Sequence, residues 1–192
     1  MATDDLTTFD NVQAFTGASD DDETYIDSLI TAASRWANKY TSKKLASRSY
    51  TGEDEDTLYD GDGTREVMLR NTPVTAITSV HESSDRTYDA TTLVDSDDYI
   101  FYPDTGRLVF TETIPARGYQ TIKVLYTAGY DPVPDDLENA IIMLVDYWFK
   151  AYQSHRFGVQ SVGVDDQRIV YEKGVPTQVK EALEHYRKAV LF

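Results

Sequence analysis

Apolar residues recur at helical spacing toward both ends of the chain and at strand spacing between them. Phe9, Val12 and Phe15 lie three apart and are followed by Gly17, which predicts one short helix over 7–17. Ile26, Leu29, Ile30, Ala33, Trp36, Ala37 and Tyr40 then fall on one face of a longer helix. That helix begins near Ser19 or Asp20, where Asp20 and Glu23 have capping-box spacing and Asp20, Asp21, Asp22 and Glu23 crowd the positive end of the dipole. Its far end is basic, with Arg35, Lys39, Lys43 and Lys44.

From about Ser47 to Tyr130 the chain changes to short runs rich in β-branched and aromatic residues, parted by Gly, Pro, Asp and Asn. Strands are predicted at Arg65 to Arg70, Val74 to Glu82, Asp98 to Tyr102, Arg107 to Thr111 and Thr121 to Thr127, the last alternating Ile122, Val124 and Tyr126 with polar neighbours. Asp104-Thr105-Gly106 reads as a hairpin turn, Asp60-Gly61-Asp62-Gly63 as a second turn, and Ser83 to Thr92 as a polar loop.

Helix returns after Pro132 and Pro134, with Asp135 and Asp136 in its first turn, and runs to about His155. Ala140 to Phe149 is apolar nearly all round, which marks this as the central helix, contacted on several sides. Pro176 opens a last helix whose Val179, Leu183, Tyr186 and Val190 share a face. The predicted class is α+β: a small helical bundle of N- and C-terminal helices with an inserted antiparallel β subdomain. Its parts are helices at about 8–45, 133–156 and 176–190, a β insertion at about 47–130 and an interaction loop at about 157–175, in one domain spanning 1–192.

Composition narrows the function. With 192 residues, 41% of them hydrophobic and 27% charged, the chain has a globular composition, and its longest apolar run is interrupted by Asp146 and too short to span a bilayer. The start has neither a basic nor an apolar leader region, so the protein is expected to remain where it is made. There are no cysteines, which removes disulfides, thiol catalysis and Cys-ligated metal. The 33 acids against 18 Lys and Arg leave a net charge of −15, which disfavours tight sequence-independent DNA binding. Charge is also uneven: residues 1–30 hold eight acids and no Lys or Arg, whereas 173–192 hold four bases and two acids. Helix-end electrostatics and solubility account for this, as does a complementary contact with a partner. The 23 Asp against 8 Lys would also suit a high-salt environment.

Catalytic chemistry finds little support. Asp60-Gly61-Asp62-Gly63-Thr64 superficially resembles an EF-hand loop, but either register puts Leu58 at a ligand position and Val67 or Leu69 at the last one. His81, His155 and His185 lie far apart, and no His-Glu-x-x-His metal motif, nucleophile elbow, phosphate loop or dinucleotide fingerprint occurs. No cofactor, metal or catalytic residue is assigned. Phe157, Val159, Val162, Val164, Ile169 and Tyr171 lie in a Gly-containing stretch without helical period, so they either cover the domain's own core or pair with another chain.

Taken in order, a set of segments resembles the head-to-tail connector, or adaptor, proteins of tailed bacterial and archaeal viruses, a head completion family. These are the helix from Ile26 ending in Lys39-Tyr40-Thr41; Tyr59 to Thr64, Leu69 and Pro73-Val74; Ile77-Thr78-Ser79-Val80; Asp98-Tyr99; and Gly106-Arg107-Leu108. The last is Ile122 to Asp131, containing Tyr126-Thr127-Ala128-Gly129-Tyr130-Asp131, with Pro134, Leu137 and Ala140. The resemblance covers roughly 8–190 and is specific in its order, each piece alone being generic. It implies a non-enzymatic virion protein made in the host cytoplasm. Such a protein forms a ring, usually a dodecamer, under the portal, where it extends the DNA channel and offers a docking surface to the stopper or tail-completion protein.

The resemblance further implies that Gly174 to Phe192 reaches toward the portal and that the preceding loop interlocks neighbouring subunits. Contact residues on that view are the six of the loop together with Val179, Leu183, Tyr186, Leu191 and Phe192. The apolar end from Ala189 to Phe192 fits, since assembly would give it a partner. Viral DNA would pass without specific binding, because acids lining a channel repel phosphates. The alternatives are a tail or baseplate module binding a host glycan or another tail protein, and a carboxylate-based hydrolase.

Overall fold

The computed structural model describes residues 4–52, 55–154, 161–164, 167–170 and 175–187. The chain divides into two compact units: a helical one formed by 1–46 with 131–192, and a β one formed by Ser47–Tyr130. Helices from both ends of the chain thus form one bundle and the antiparallel β region is inserted between them.

The helical unit contains α1 (Phe9–Thr16), α2 (Glu23–Thr41), α3 (Asp135–Gln153) and α4 (Thr177–Glu184). Thr8 caps α1 by accepting from the Asn11 N–H, and Gly17 ends it with φ of 69°, a conformation that costs glycine nothing. Before α2 the capping differs from the predicted box: Ser19, not Asp20, accepts the Asp21 N–H, and Asp20–Asp22 form a 3-10 turn. Asp20 is taken by Gln13, whose Nε2 lies 2.6 Å from its Oδ1.

Helix α3 packs against α1, α2 and α4, as its all-round apolar composition requires. It buries Leu137, Ala140, Ile141, Ile142, Leu144, Val145 and Phe149; α2 contributes Ile26, Ile30, Ala33 and Ala37. Each large aliphatic chain so buried stabilises the fold by about 1.5–3 kcal/mol. Polar ties fix α1 on α3: Thr7 Oγ1 and Asn11 Nδ2 both donate to Glu138 Oε1, at 2.9 and 2.7 Å.

The β unit contains β1 (Arg48–Tyr50), β2 (Leu58–Gly61), β3 (Glu66–Met68), β4 (Val74–Glu82), β5 (Tyr99–Tyr102), β6 (Arg107–Phe110) and β7 (Gly118–Ala128). β7 is the spine of one antiparallel sheet, pairing with β1 and β2 through different stretches of its length and with β4 through Val74↔Ala128 to Glu82↔Ile122. A second sheet has the order β3-β6-β5. Both sheets feed one core, in which Val67, Leu69, Leu108 and Phe110 join Val80, Ile122, Val124 and Tyr126.

Two strands, β1 and β2, lie where no strand is predicted. The first half of the predicted turn Asp60-Gly61-Asp62-Gly63 is strand, since Gly61 still pairs with Gly118 on β7. Gly61 is required there: a Cβ would sit 1.9 Å from the Ala116 carbonyl oxygen. The turn proper follows, with Asp62 accepting from the Thr64 N–H and hydroxyl at 2.7 and 2.6 Å and Gly63 at φ of 81°. These bonds hold the Asp62 carboxyl below the usual carboxylate range.

The core of the β unit has a polar centre. The Tyr59 and Tyr126 hydroxyls lie 2.8 and 3.0 Å from the Asp56 carbonyl oxygen and 3.2 Å from each other. Asn71 Nδ2 donates to Tyr126 Oη and to Asp56 Oδ1, at 3.2 and 2.9 Å. Burial pushes both phenols up, foremost by penalising the phenolate.

Candidate assembly surfaces

Between α3 and α4 the chain forms a small antiparallel hairpin, β8 (Ser161–Val164) and β9 (Gln167–Val170). Its register sets Val162 opposite Ile169 and Val164 opposite Gln167, so Val162, Val164 and Ile169 hold same-parity positions of the ladder. Among the described residues these strands pair only with each other, which leaves both outer backbone edges without a strand partner. The predicted interaction loop is therefore a β-ribbon in part. Phe157, Val159 and Tyr171 of the same segment, and Leu191 and Phe192 at the chain end, lie outside the described residues.

The candidate residues of α4 divide differently. Val179 and Leu183 are buried in the bundle's own core, because their i, i+4 spacing places them on the face turned to α3 and α2. They do not form an open surface of the unit. Tyr186 is half-buried and donates from Oη to Asp136 Oδ1 at 2.5 Å, tying the end of α4 to the start of α3. Beside it, Glu184 accepts from Tyr40 Oη at 2.9 Å and from Arg187 Nη1 at 2.7 Å. The Arg187 guanidinium, and then the Tyr40 hydroxyl, hold the Glu184 carboxyl low, while the same carboxylate raises the Tyr40 phenol. Arg187 also lies 5.6 Å over the Tyr40 ring, which stacks on Trp36 at 5.1 Å. The cluster is solvent-exposed, so its energetic weight is small.

A second surface belongs to the β unit and was not foreseen. On the sheet β3-β6-β5 the buried face carries Val67, Leu108 and Phe110; the opposite face carries Met68, Ile100, Tyr102, Val109, Arg107 and Glu66. Met68, Ile100 and Tyr102 are about half exposed, at 46%, 52% and 45%. Arg107 stands in the middle: its Nη2 meets Glu66 Oε1 at 2.6 Å and its guanidinium lies 5.3 Å over the Tyr102 ring. The sequence held a signal for this face. Tyr99-Ile100-Phe101-Tyr102 is apolar at every position, and a strand apolar in both parities calls for cover on both faces.

The third surface is a groove of about 450 Å³ between α1 and α3, lined by Asn11, Ala14 and Phe15 on one side and Asp135, Glu138, Asn139 and Ile142 on the other. Phe15, which continues the three-residue spacing of Phe9 and Val12, is 60% exposed. Three-residue steps rotate backward by about 60° each, so the third residue has drifted off the core face. Among the described residues no group of three or more His, Asp or Glu is placed to hold a metal ion, and no helix is long and apolar enough to cross a membrane.

Residues 5–189 match the family model for head completion proteins. The chain belongs to the head completion protein family. Among its relatives is the head completion protein of Escherichia phage T5, 30% identical over 98 residues, which make up 50% of this chain and 53% of that one. The chain thus spans about half the length of that curated relative. In fold it is similar to a chain in the neck of a native gene transfer agent particle, computed with C12 symmetry, with a TM-score of 0.63 at 16% identity over 100% of this chain and 98% of that one. A chain in the neck of an empty gene transfer agent particle, computed with C6 symmetry, gives 0.60 at 16% identity, covering 100% and 95%. The α+β architecture of helical bundle and inserted β unit agrees with the expectation from the periodicity and order of the predicted elements.

Proposed function

We propose that this chain is a structural virion protein of the neck between capsid and tail, assembling as a ring under the portal and extending the DNA channel. The observation that carries the reading is the family match across residues 5–189. The fold shared over the whole chain with a chain of a neck computed with C12 symmetry supports a dodecamer. Open surface of the right kind supports it too: the β8–β9 ribbon has edges to offer a neighbouring subunit, and the Met68, Ile100, Tyr102 face offers apolar area that a monomer leaves wet.

Portal, stopper or tail-completion protein and further copies of the same chain are the partners on this reading, and the work is mechanical, without turnover. The segment 174–192, basic and then apolar, is the part that reaches the portal. Each subunit brings a net charge of −15, so acids along the channel repel the phosphates of passing DNA and keep it from sticking.

Light scattering on the purified chain over a range of salt and protein concentration tests the assembly. A species of about twelve 21.7 kDa chains is expected, alone or once purified portal is added. A monomer under both conditions overturns the proposal.

A further inference from the structure

We propose that in the unassembled chain the α1/α3 groove receives the chain's own segment Lys188-Ala189-Val190-Leu191-Phe192. The groove offers two kinds of surface side by side. Phe15, Ala14 and Ile142 give an apolar wall, with Phe15 standing 60% exposed. Asp135 and Glu138 give a negative one, and Asp135 has no side-chain partner among the described residues. The segment carries the complement in the same compact order, one cation followed by four apolar residues. Ionic attraction then orients the segment while burial of Leu191 and Phe192 against Phe15 supplies most of the free energy.

The fold delivers the segment to that place. Tyr186 Oη is bonded to Asp136 Oδ1, so the chain leaves α4 at the first turn of α3, whose neighbouring residues Asp135 and Glu138 line the groove. Five extended residues reach about 17 Å, enough to pass the start of α3 and lie along it. Docked there, the apolar end is kept from water and from premature contacts, and it must leave the groove before it can serve another partner. The inference concerns the free monomer, so its failure leaves ring assembly untouched and is read separately from it.

The absence of cysteine from the chain makes a thiol trap unambiguous. Ala14→Cys and Leu191→Cys are introduced together in the full chain, oxidised at low protein concentration, and mapped by mass spectrometry of non-reduced peptides. Lys39→Cys with Leu191→Cys is the control, because Lys39 is exposed and precedes Tyr40, whose hydroxyl bonds Glu184 near the same end of α4. The expected result is an intramolecular 14–191 bond that forms faster than the 39–191 bond and slows by about two- to five-fold when Lys188→Glu is added. Equal rates for the two pairs, or no 14–191 bond while both thiols react with a soluble label, overturn the proposal. Bonds formed only between chains overturn it as well and assign the groove to a second copy.

Discussion

Replacing Tyr126 by Phe isolates the polar centre of the β unit, because the ring and its packing stay and only the hydroxyl goes. Tyr126 is fully buried, and its ring stacks on Tyr50 at 4.9 Å. Its hydroxyl lies 3.0 Å from the Asp56 carbonyl oxygen and accepts from Asn71 Nδ2 at 3.2 Å. The carbonyl keeps Tyr59 after the change, so its loss is one of two partners. Asn71 is worse placed: Nδ2 retains Asp56 Oδ1, but one of its two N–H groups is left unpaired in a residue only 7% exposed. A lost hydrogen bond costs about 1 kcal/mol and an unsatisfied buried donor about 1–3 kcal/mol, so Tyr126→Phe should destabilise the β unit by about 2–4 kcal/mol with no cavity term. The assay is urea unfolding followed by near-UV circular dichroism, to which the eight tyrosines of the β unit contribute along with six in the helical unit; both tryptophans, Trp36 and Trp148, lie in the helical unit, so their fluorescence gives that unit's transition by itself and the difference between the two curves reports the β unit. Pairing the change with Asn71→Ala should show strong non-additivity, since either substitution breaks the same bond. A loss under about 0.5 kcal/mol, or full additivity, would refute the network as described.

Other changes probe the remaining elements. Gly61→Ala should cost about 1–3 kcal/mol or more by driving β2 off the Ala116 carbonyl, seen as a lower urea midpoint. Leu183→Ala removes a fully buried side chain from α4 and should cost about 2–5 kcal/mol, read by tryptophan fluorescence; a change near zero would mean α4 is not packed as described. Ile100→Asp, on the half-exposed sheet face, should leave the monomer's unfolding midpoint within about 0.5 kcal/mol while reducing the assembled fraction in light scattering, and an unchanged assembled fraction would remove that face from the interface. The raised phenols of Tyr59 and Tyr126 set a pH limit: their stabilising effect is full below the unfolded value of about 10 and is lost as pH rises above it, because the unfolded chain releases those protons first. Stability of the β unit should fall above about pH 10 in the wild type and fall less steeply in Tyr59→Phe.

What was legible in the sequence follows the range of the forces involved. Helix α2 and strand β4 could be read because each satisfies a periodic rule over many residues, and the predicted strand Val74 to Glu82 coincides with β4. Strands β1 and β2 could not, because their pairing with β7 is set by residues far away in the chain, as in Gly61↔Gly118 and Tyr50↔Tyr126. The Asp-Gly-Asp-Gly segment carried a true turn signal, yet Gly61 is there for a close backbone approach that only the folded chain creates. For the candidate contacts the same limit applies. An apolar face on α4 was evident, but Val179 and Leu183 meet α3 and α2, and no local pattern says which neighbour an apolar residue will meet. Phe15 and Ile100 show the converse, apolar residues in regular elements that the chain itself leaves half exposed or more.

The ring itself is the claim on which the rest depends, and electron microscopy of negatively stained particles tests it most directly. The largest species formed by the purified chain, alone and mixed with the portal of the same virus, is imaged and averaged without imposed symmetry. The account predicts closed rings with an axial hole and about twelve equivalent subunits, seated on one end of the portal when it is present. Compact particles without a hole in both samples, or portal rings that remain bare, would contradict it.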